Sequence, residues 1–223
     1  MEPRKVLGIV LSATPISEYD KRVVLLTKEL GKLSAFARNA RKPHSPLIGA
    51  TIPFTFGEFT ILEGRTSVNI ISAESKNHFP SLHSDLDRAC YGMYFLELAD
   101  YFSREYNDER AMLKLLYQTL RALESGRFGN DFIKAVYEWK MLVINGTYPD
   151  MSGSEFRERF KLNKSSEYTL QFIIDIPVEK LYTFNVERYV LDELKAVVSF
   201  YLNRYVDRKL NSLKMIENIS GLS

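Results

Sequence analysis

The hydrophobic period of this chain changes once, near Pro80, and that change limits what the chain can fold into. Before Pro80 the apolar residues come in short β-branched or alternating runs: "KVLGIVLSA", "KRVVLLTKE", "KLSAFARNA", "PFTFGEFTILEG" and "SVNIISAES". Leu30-Gly31 and Glu63-Gly64-Arg65 punctuate these runs as turns. Beyond Pro80 the spacing becomes helical. Tyr91, Tyr94, Phe95, Leu98 and Tyr101 form one stripe, and Leu113, Leu116, Tyr117, Leu120 and Leu123 form a second. Phe132, Val136, Trp139 and Val143 form a third, and a last long helix is expected from about 186 to 210.

Five short strands of this size predict a small closed barrel, of OB-fold or SH3-like dimensions. The fold class is therefore α+β: a barrel domain over 1–80 and a mainly helical domain over 81–223. Within the second domain, "YPDMSGSEFRERFKLNKSSEYTLQFIIDIPVEKLYTF" is polar early and alternates later at Tyr168, Leu170, Phe172 and Ile174. A β-containing insertion is expected there, at about 150–185. The apolar stripes are read as core. No run approaches the ~20 apolar residues of a membrane-spanning helix, and the N-terminal apolar run is too short for a signal peptide. A soluble, intracellular protein is the expectation.

Net charge is only +2, but it is unevenly placed. Residues 21–42 hold seven Lys and Arg against the single acid Glu29. Such a local basic field on a nearly neutral chain suits a polyanion, although a solvated face would look the same. Lys21 and Arg22 open the second strand, Lys28 and Lys32 flank the turn, and Arg38, Arg41 and Lys42 close the third strand. Arg65 adds a cation on the fourth hairpin. An OB barrel binds single strands across this sheet with phosphate contacts and aromatic stacking. Phe36 is placed to stack on a base, though Leu33 and Ala35 compete for the opposite face and favour its packing inside the barrel. The small residues Ser34, Ala35, Ala37 and Ala40 would leave the sheet open to a bulky ligand.

Enzyme signatures are missing. The sequence has no GxSxG, HExxH or GxGxxG, and Leu26 and Leu33 occupy the glycine and Ser/Thr places of a P-loop around Gly31-Lys32. His44, His78 and His83 are scattered, and Cys90 is the only cysteine, so no disulfide or CxxC site can form within the chain. A non-enzymatic protein without metal or cofactor is expected.

The stretch "ATPISEYDKRVVLLTKELGKLSAFARNARKPHSPLIGA", followed by "PFTFGEF", resembles the N-terminal segment of the RecO family of bacterial recombination mediators. Glu18, Asp20 and Lys21 match its first loop, and Gly31 and Lys32 its hairpin turn. Ala40, Arg41, Lys42, Pro43 and Ser45 match the basic run, and Gly57 and Glu58 the strand after it. The tail "FYLNRYVDRKLNSLKMI" resembles the family's closing helix. The resemblance implies an OB domain followed by a helical domain. It also implies binding of single- and double-stranded DNA, annealing of complementary strands, and work with RecR, RecF and single-strand binding protein to load RecA. The location it implies is the bacterial cytoplasm, at the nucleoid. It further implies a helical-domain groove for the acidic tail of single-strand binding protein, with Lys114, Arg121 and Arg127 as candidates. Many members carry a four-cysteine zinc site after a Gly-x-x-Pro stretch; Gly146 and Pro149 mark that place here, and no cysteine follows. Two rival classes are a barrel adaptor for an acidic protein and an RNA-binding OB protein.

Overall fold

The computed structural model describes residues 2–219. Five strands close a barrel: β1 (Arg4–Pro15), β2 (Lys21–Thr27), β3 (Gly31–Ala37), β4 (Phe56–Glu63) and β5 (Val68–Asn77). Their order around the barrel is β1-β2-β3-β5-β4, antiparallel throughout except for the parallel β3–β5 contact. The short helix α1 (Leu47–Ala50) joins β3 to β4. Strand side chains alternate between faces, and the inward set includes Val6, Val10, Val23, Leu25, Leu33, Ala35, Phe59, Ile61 and Ile70, together with Leu47 of α1.

The helices that follow are α2 (Ser81–Ser84), α3 (Leu86–Phe102), α4 (Arg110–Ser125), α5 (Asn130–Ile144), α6 (Ser154–Phe160), α7 (Lys164–Asp175), α8 (Arg188–Tyr205) and α9 (Asn211–Ile219). Asp85 caps α3 by accepting from the Arg88 amide, and Gly126 ends α4 in the left-handed conformation, where a Cβ would be strained. The barrel docks on this domain through its outer surface. Ile9, Leu11 and Leu26 are fully or almost fully buried in the helical core rather than in the barrel. Phe56 meets Tyr117 of α4 with ring centroids 4.6 Å apart.

Two sequence expectations are corrected. Residues 150–185 contain α6, α7 and a 3-10 turn (Val178–Lys180), and no strand. Ser166, Thr169, Leu170 and Ile173 face inward at helical spacing, whereas Tyr168 is 70% exposed. The alternation of Tyr168, Leu170, Phe172 and Ile174 arises because aromatic residues also occupy the flank of an amphipathic helix. The expected single closing helix is two, broken at Val206–Leu210. The single Tyr101 hydroxyl proton is shared between the Tyr205 carbonyl (2.8 Å) and the Asp207 carboxylate (2.7 Å) at the break. The Glu97 carboxylate accepts from the Asn211 and Ser212 amides (3.1 and 3.0 Å) and from the Ser212 hydroxyl, capping α9.

Candidate nucleic-acid interface

β2 and β3 form a hairpin, so charges that are neighbours in sequence are divided between the two ends of the barrel. Lys21 pairs with Ala37 and Pro15 at one end, and Thr27 with Gly31 and Gly8 at the other. Lys21, Arg22, Arg38, Arg41 and Lys42 gather at the first end. There the loop over 16–20 is stitched to the loop after β3. The Asn39 amide donates to Asp20 Oδ1 (2.8 Å), the Arg41 amide to the Tyr19 carbonyl (2.9 Å) and Arg41 Nη1 to the Ser17 carbonyl (2.8 Å).

Within this cluster the cations differ. Lys21 is half-buried and donates to Thr51 Oγ1 at 3.1 Å; burial, then the nearby Arg41, pushes its ammonium below the usual lysine range. Arg38 is exposed and stands 4.0 Å from Asp20. Lys42 lies 5.2 Å from the centroid of the Tyr19 ring, itself 39% exposed. Glu18 and Asp20 share the end, so it is basic but not free of acids.

The outer face of β3 is lined by Lys32, Ser34 and Phe36, while Leu33, Ala35 and Ala37 are inside the barrel. Phe36 thus faces outward, flanked in register by Arg22 of β2 and Asn69 of β5. This corrects the expectation that it packs inside. It also corrects the role given to the small residues. Ala35, Ala37 and Ala40 are buried at 1, 0 and 0% exposure and fill the barrel interior, so they do not open the sheet to a ligand. Only Ser34 is on the outer face, where it accepts from Arg22 Nε at 2.8 Å.

At the opposite end, Lys32 is an interdomain tie and no part of the exposed basic end. Its Nζ donates to the Asp100 carbonyl at 2.6 Å, with the Asp100 carboxylate at 3.3 Å. Lys28 instead lines a groove of about 330 Å³ at the seam with α4. Leu7, Phe56, Leu113 and Tyr117 make its floor, and Lys28, Arg110 and Lys114 its rim. Arg110 is held by Asp108, whose carboxyl is drawn down to about 2 chiefly by that guanidinium, and Lys114 by Glu179. Arg65 is exposed on the β4–β5 turn. Arg121 is exposed two turns along α4 from Lys114, and Arg127 lies beyond the Gly126 cap. The structure therefore joins Lys28 to Lys114 and leaves Arg65, Arg121 and Arg127 outside both clusters.

Sequence inspection missed Tyr19 and Arg110. Tyr19 has a weak signal, an aromatic residue inside the loop opposite the basic run; Arg110 has none, since only folding brings α4 beside Lys28. Cys90 is buried, and burial pushes its thiol up, away from nucleophilic chemistry. Among the described residues no three His, Cys, Asp or Glu side chains converge as a metal-sized cluster, and no helix is long and apolar enough to cross a membrane.

A closed five-stranded barrel with cations and an aromatic residue on its β2–β3 surface, mounted on a helical platform, defines an OB-fold protein of the kind that meets nucleic acids. Residues 1–79 match the family described as recombination protein O, N-terminal, and residues 83–157 and 152–214 its C-terminal counterpart. The chain belongs to the RecO family of DNA repair and recombination proteins. Its relatives include the DNA repair protein RecO of Alkaliphilus metalliredigens, 25% identical over 96% of this chain and 99% of that protein. The same-named protein of Desulforamulus reducens is 27% identical over 98% and 96%. That of Listeria welshimeri is 34% identical over 65% of this chain and 56% of its own length.

Proposed function

We propose that this protein is a non-enzymatic recombination mediator of the bacterial cytoplasm, acting at the nucleoid. It binds single- and double-stranded DNA, anneals complementary strands, and helps load RecA on DNA coated with single-strand binding protein, together with RecR and RecF. The observation that carries this is the convergence of Lys21, Arg22, Arg38, Arg41 and Lys42 at one barrel end beside the outward Phe36 and Tyr19. Annealing brings two polyanions together, and cations that neutralise phosphates on both lower the repulsion. The exposed Tyr19 and half-buried Phe36 rings add stacking that tolerates any base.

The acidic tail of single-strand binding protein fits the seam groove better than the α4 face around Arg121 and Arg127. The groove combines an apolar floor with the cationic rim of Lys28, Arg110 and Lys114.

The test is annealing of complementary oligonucleotides coated with single-strand binding protein, comparing wild type with an Arg38→Glu/Arg41→Glu/Lys42→Glu variant across a salt titration. Loss of annealing with a shallower salt slope is expected. Unchanged annealing by the variant would remove DNA from this barrel end. Binding of RecR or another acidic partner that is lost while DNA binding persists would favour the adaptor reading, and a preference for RNA would favour the RNA-binding one.

A further inference from the structure

A second cationic surface lies on the helical domain, away from the barrel. The guanidinium carbon of Arg159, at the end of α6, lies 4.6 Å from the centroid of the Phe200 ring on α8. That of Arg204, one turn further along α8, lies 5.4 Å from the same ring. Both arginines are exposed, and neither makes an ion pair within 4 Å among the described residues. Glu155 and Glu158 share α6, yet the arginines turn to the ring instead.

Each cation–π contact at an exposed site contributes about 0.5–1 kcal/mol and fixes the guanidinium in place. It does not neutralise the charge. Two positioned, uncompensated guanidinium groups on one ring lack a bridging anion, and the planar fork of arginine suits the oxygens of a phosphate. Phe160 and Tyr201 pack at the same place, with Phe160 edge-on to Phe200 at 5.5 Å, so the ring itself is held.

A chain of contacts connects this surface to the outer face of β3. That face runs from Phe36 through Ser34 to Lys32, which grips Asp100. The other Asp100 oxygen takes Arg208 at 3.7 Å, and Arg208 lies 5.0 Å from the centroid of the Tyr101 ring. Tyr101 in turn holds the Tyr205 carbonyl, one residue from Arg204, and Tyr205 is 42% exposed. A strand laid along β3 is therefore led over the seam towards Arg204 and Phe200.

We propose that Arg159 and Arg204, positioned on Phe200, form a second phosphate-binding surface for a nucleic-acid strand whose first part lies on the barrel. This rests on the DNA-binding role proposed above. The two cations are held on one ring at the far end of this chain of contacts, and spaced cations of that kind suit a polynucleotide backbone better than a peptide.

The test is binding of fluorescein-labelled oligothymidylate by anisotropy across a salt titration, with about 8 and about 30 nucleotides, lengths chosen within and beyond what one OB barrel occupies. The Arg159→Gln/Arg204→Gln variant should lose roughly 1.4 units of log–log salt slope with the long oligonucleotide, at about 0.7 per phosphate contact. With the short one it should match wild type. An Arg159→Lys/Arg204→Lys variant should retain the slope. An unchanged slope with the long oligonucleotide in the Gln variant overturns the proposal, as does an equal loss at both lengths. Loss of polyglutamate binding with oligothymidylate binding unchanged would overturn it in favour of an acidic protein partner. The barrel-end glutamate variant, measured alongside, separates the two ideas. Full affinity in that variant overturns the barrel reading and with it the path from β3, whereas an unchanged slope in the Gln variant alone overturns only the second surface.

Discussion

Lys32 leaves the barrel and joins Asp100 of α3, its ammonium 2.6 Å from the carbonyl and 3.3 Å from the carboxylate of that residue. The backbone follows the side chain, since the Lys32 amide donates to the Arg104 carbonyl at 3.0 Å. One lysine at the start of β3 thus fixes how the barrel sits on the helices, and so how the exposed basic end is presented. Lys32→Met should lower the urea midpoint by an amount equivalent to about 1–2 kcal/mol, the size of a partly exposed charged hydrogen bond. The salt slope for DNA should not change. A slope reduced as much as in an Arg38 variant would return Lys32 to the DNA surface.

Gly31, just before it, has φ +63, and a Cβ there would come within 2.5 Å of the Asn107 carbonyl and 2.8 Å of the Arg104 carbonyl. Both oxygens belong to the backbone and cannot swing aside. Gly31→Ala should therefore destabilise the protein by about 2 kcal/mol or more, combining left-handed strain with the clash. Thermal unfolding would measure it, and a midpoint equal to wild type would mean that the seam opens without cost.

Phe36 and Tyr19 give the opposite expectation. Both are outside the barrel core, Tyr19 exposed and Phe36 half-buried, so truncating them should cost far less stability than truncating an inward residue such as Leu33. Phe36→Ala should weaken single-strand affinity by about 1–3 kcal/mol, the worth of one stacked base. Affinity measured beside a melting curve decides it: a lower melting temperature with unaltered affinity would show that Phe36 serves the fold.

How far the sequence speaks depends on the range of the interaction. The strands could be read because period-2 alternation is local, and "LSAFARNA" already alternates in the way that puts Leu33, Ala35 and Ala37 inside. The outward direction of Phe36 follows from the same alternation once Leu33 is placed in the core. The division of the basic run could not be read by counting charges, because a hairpin reverses direction between Lys21 and Arg38 and sends Lys28 and Lys32 to the far end. Helix α7 was hidden because Tyr168 and Phe172 break the polar face that would have marked a helix. The pairing of Lys28 with Arg110 needed the docking of two domains, which no local pattern encodes.

Acidification should loosen α9. Burial alone would raise the Glu97 carboxyl, but the Ser212 hydroxyl and the Ser212 and Asn211 amides outweigh it and hold the carboxyl below its usual range. Asp131 behaves alike: burial opposes ionisation, and Lys195 and Tyr91 reverse the balance. A carboxyl lowered by folding contributes stability that is present above the ordinary range near pH 4 and is lost as pH falls through the native value. Hydrogen exchange over 211–218 should thus accelerate below about pH 4 beyond its intrinsic rate, and a Glu97→Gln variant should lose that dependence. If the variant and wild type respond alike, the cap is not the acid-sensitive element.

The end of α7, in the segment that follows Gly146 and Pro149, is anchored on Lys140 of α5. Its buried ammonium donates to three carbonyls at the end of α7, Ile173 at 2.9 Å and Ile174 and Ile176 at 2.8 Å. Beside it, Trp139 Nε1 donates to the Leu170 carbonyl at 3.1 Å. The last carbonyls of a helix have no partner within it, and a cation there answers both their hydrogen bonding and the negative end of the helix dipole. Burial pushes the lysine below its usual range, but the three acceptors stabilise the charged form that they require. Lys140→Met keeps the apolar stem and removes the donor, leaving three carbonyls to find water. A loss of about 3 kcal/mol is expected, within the range for buried groups left unsatisfied. A chelator should leave the wild-type melting temperature unchanged while Lys140→Met lowers it. A melting temperature that falls with chelator and returns with zinc would show that a metal, and not Lys140, holds α7 in place.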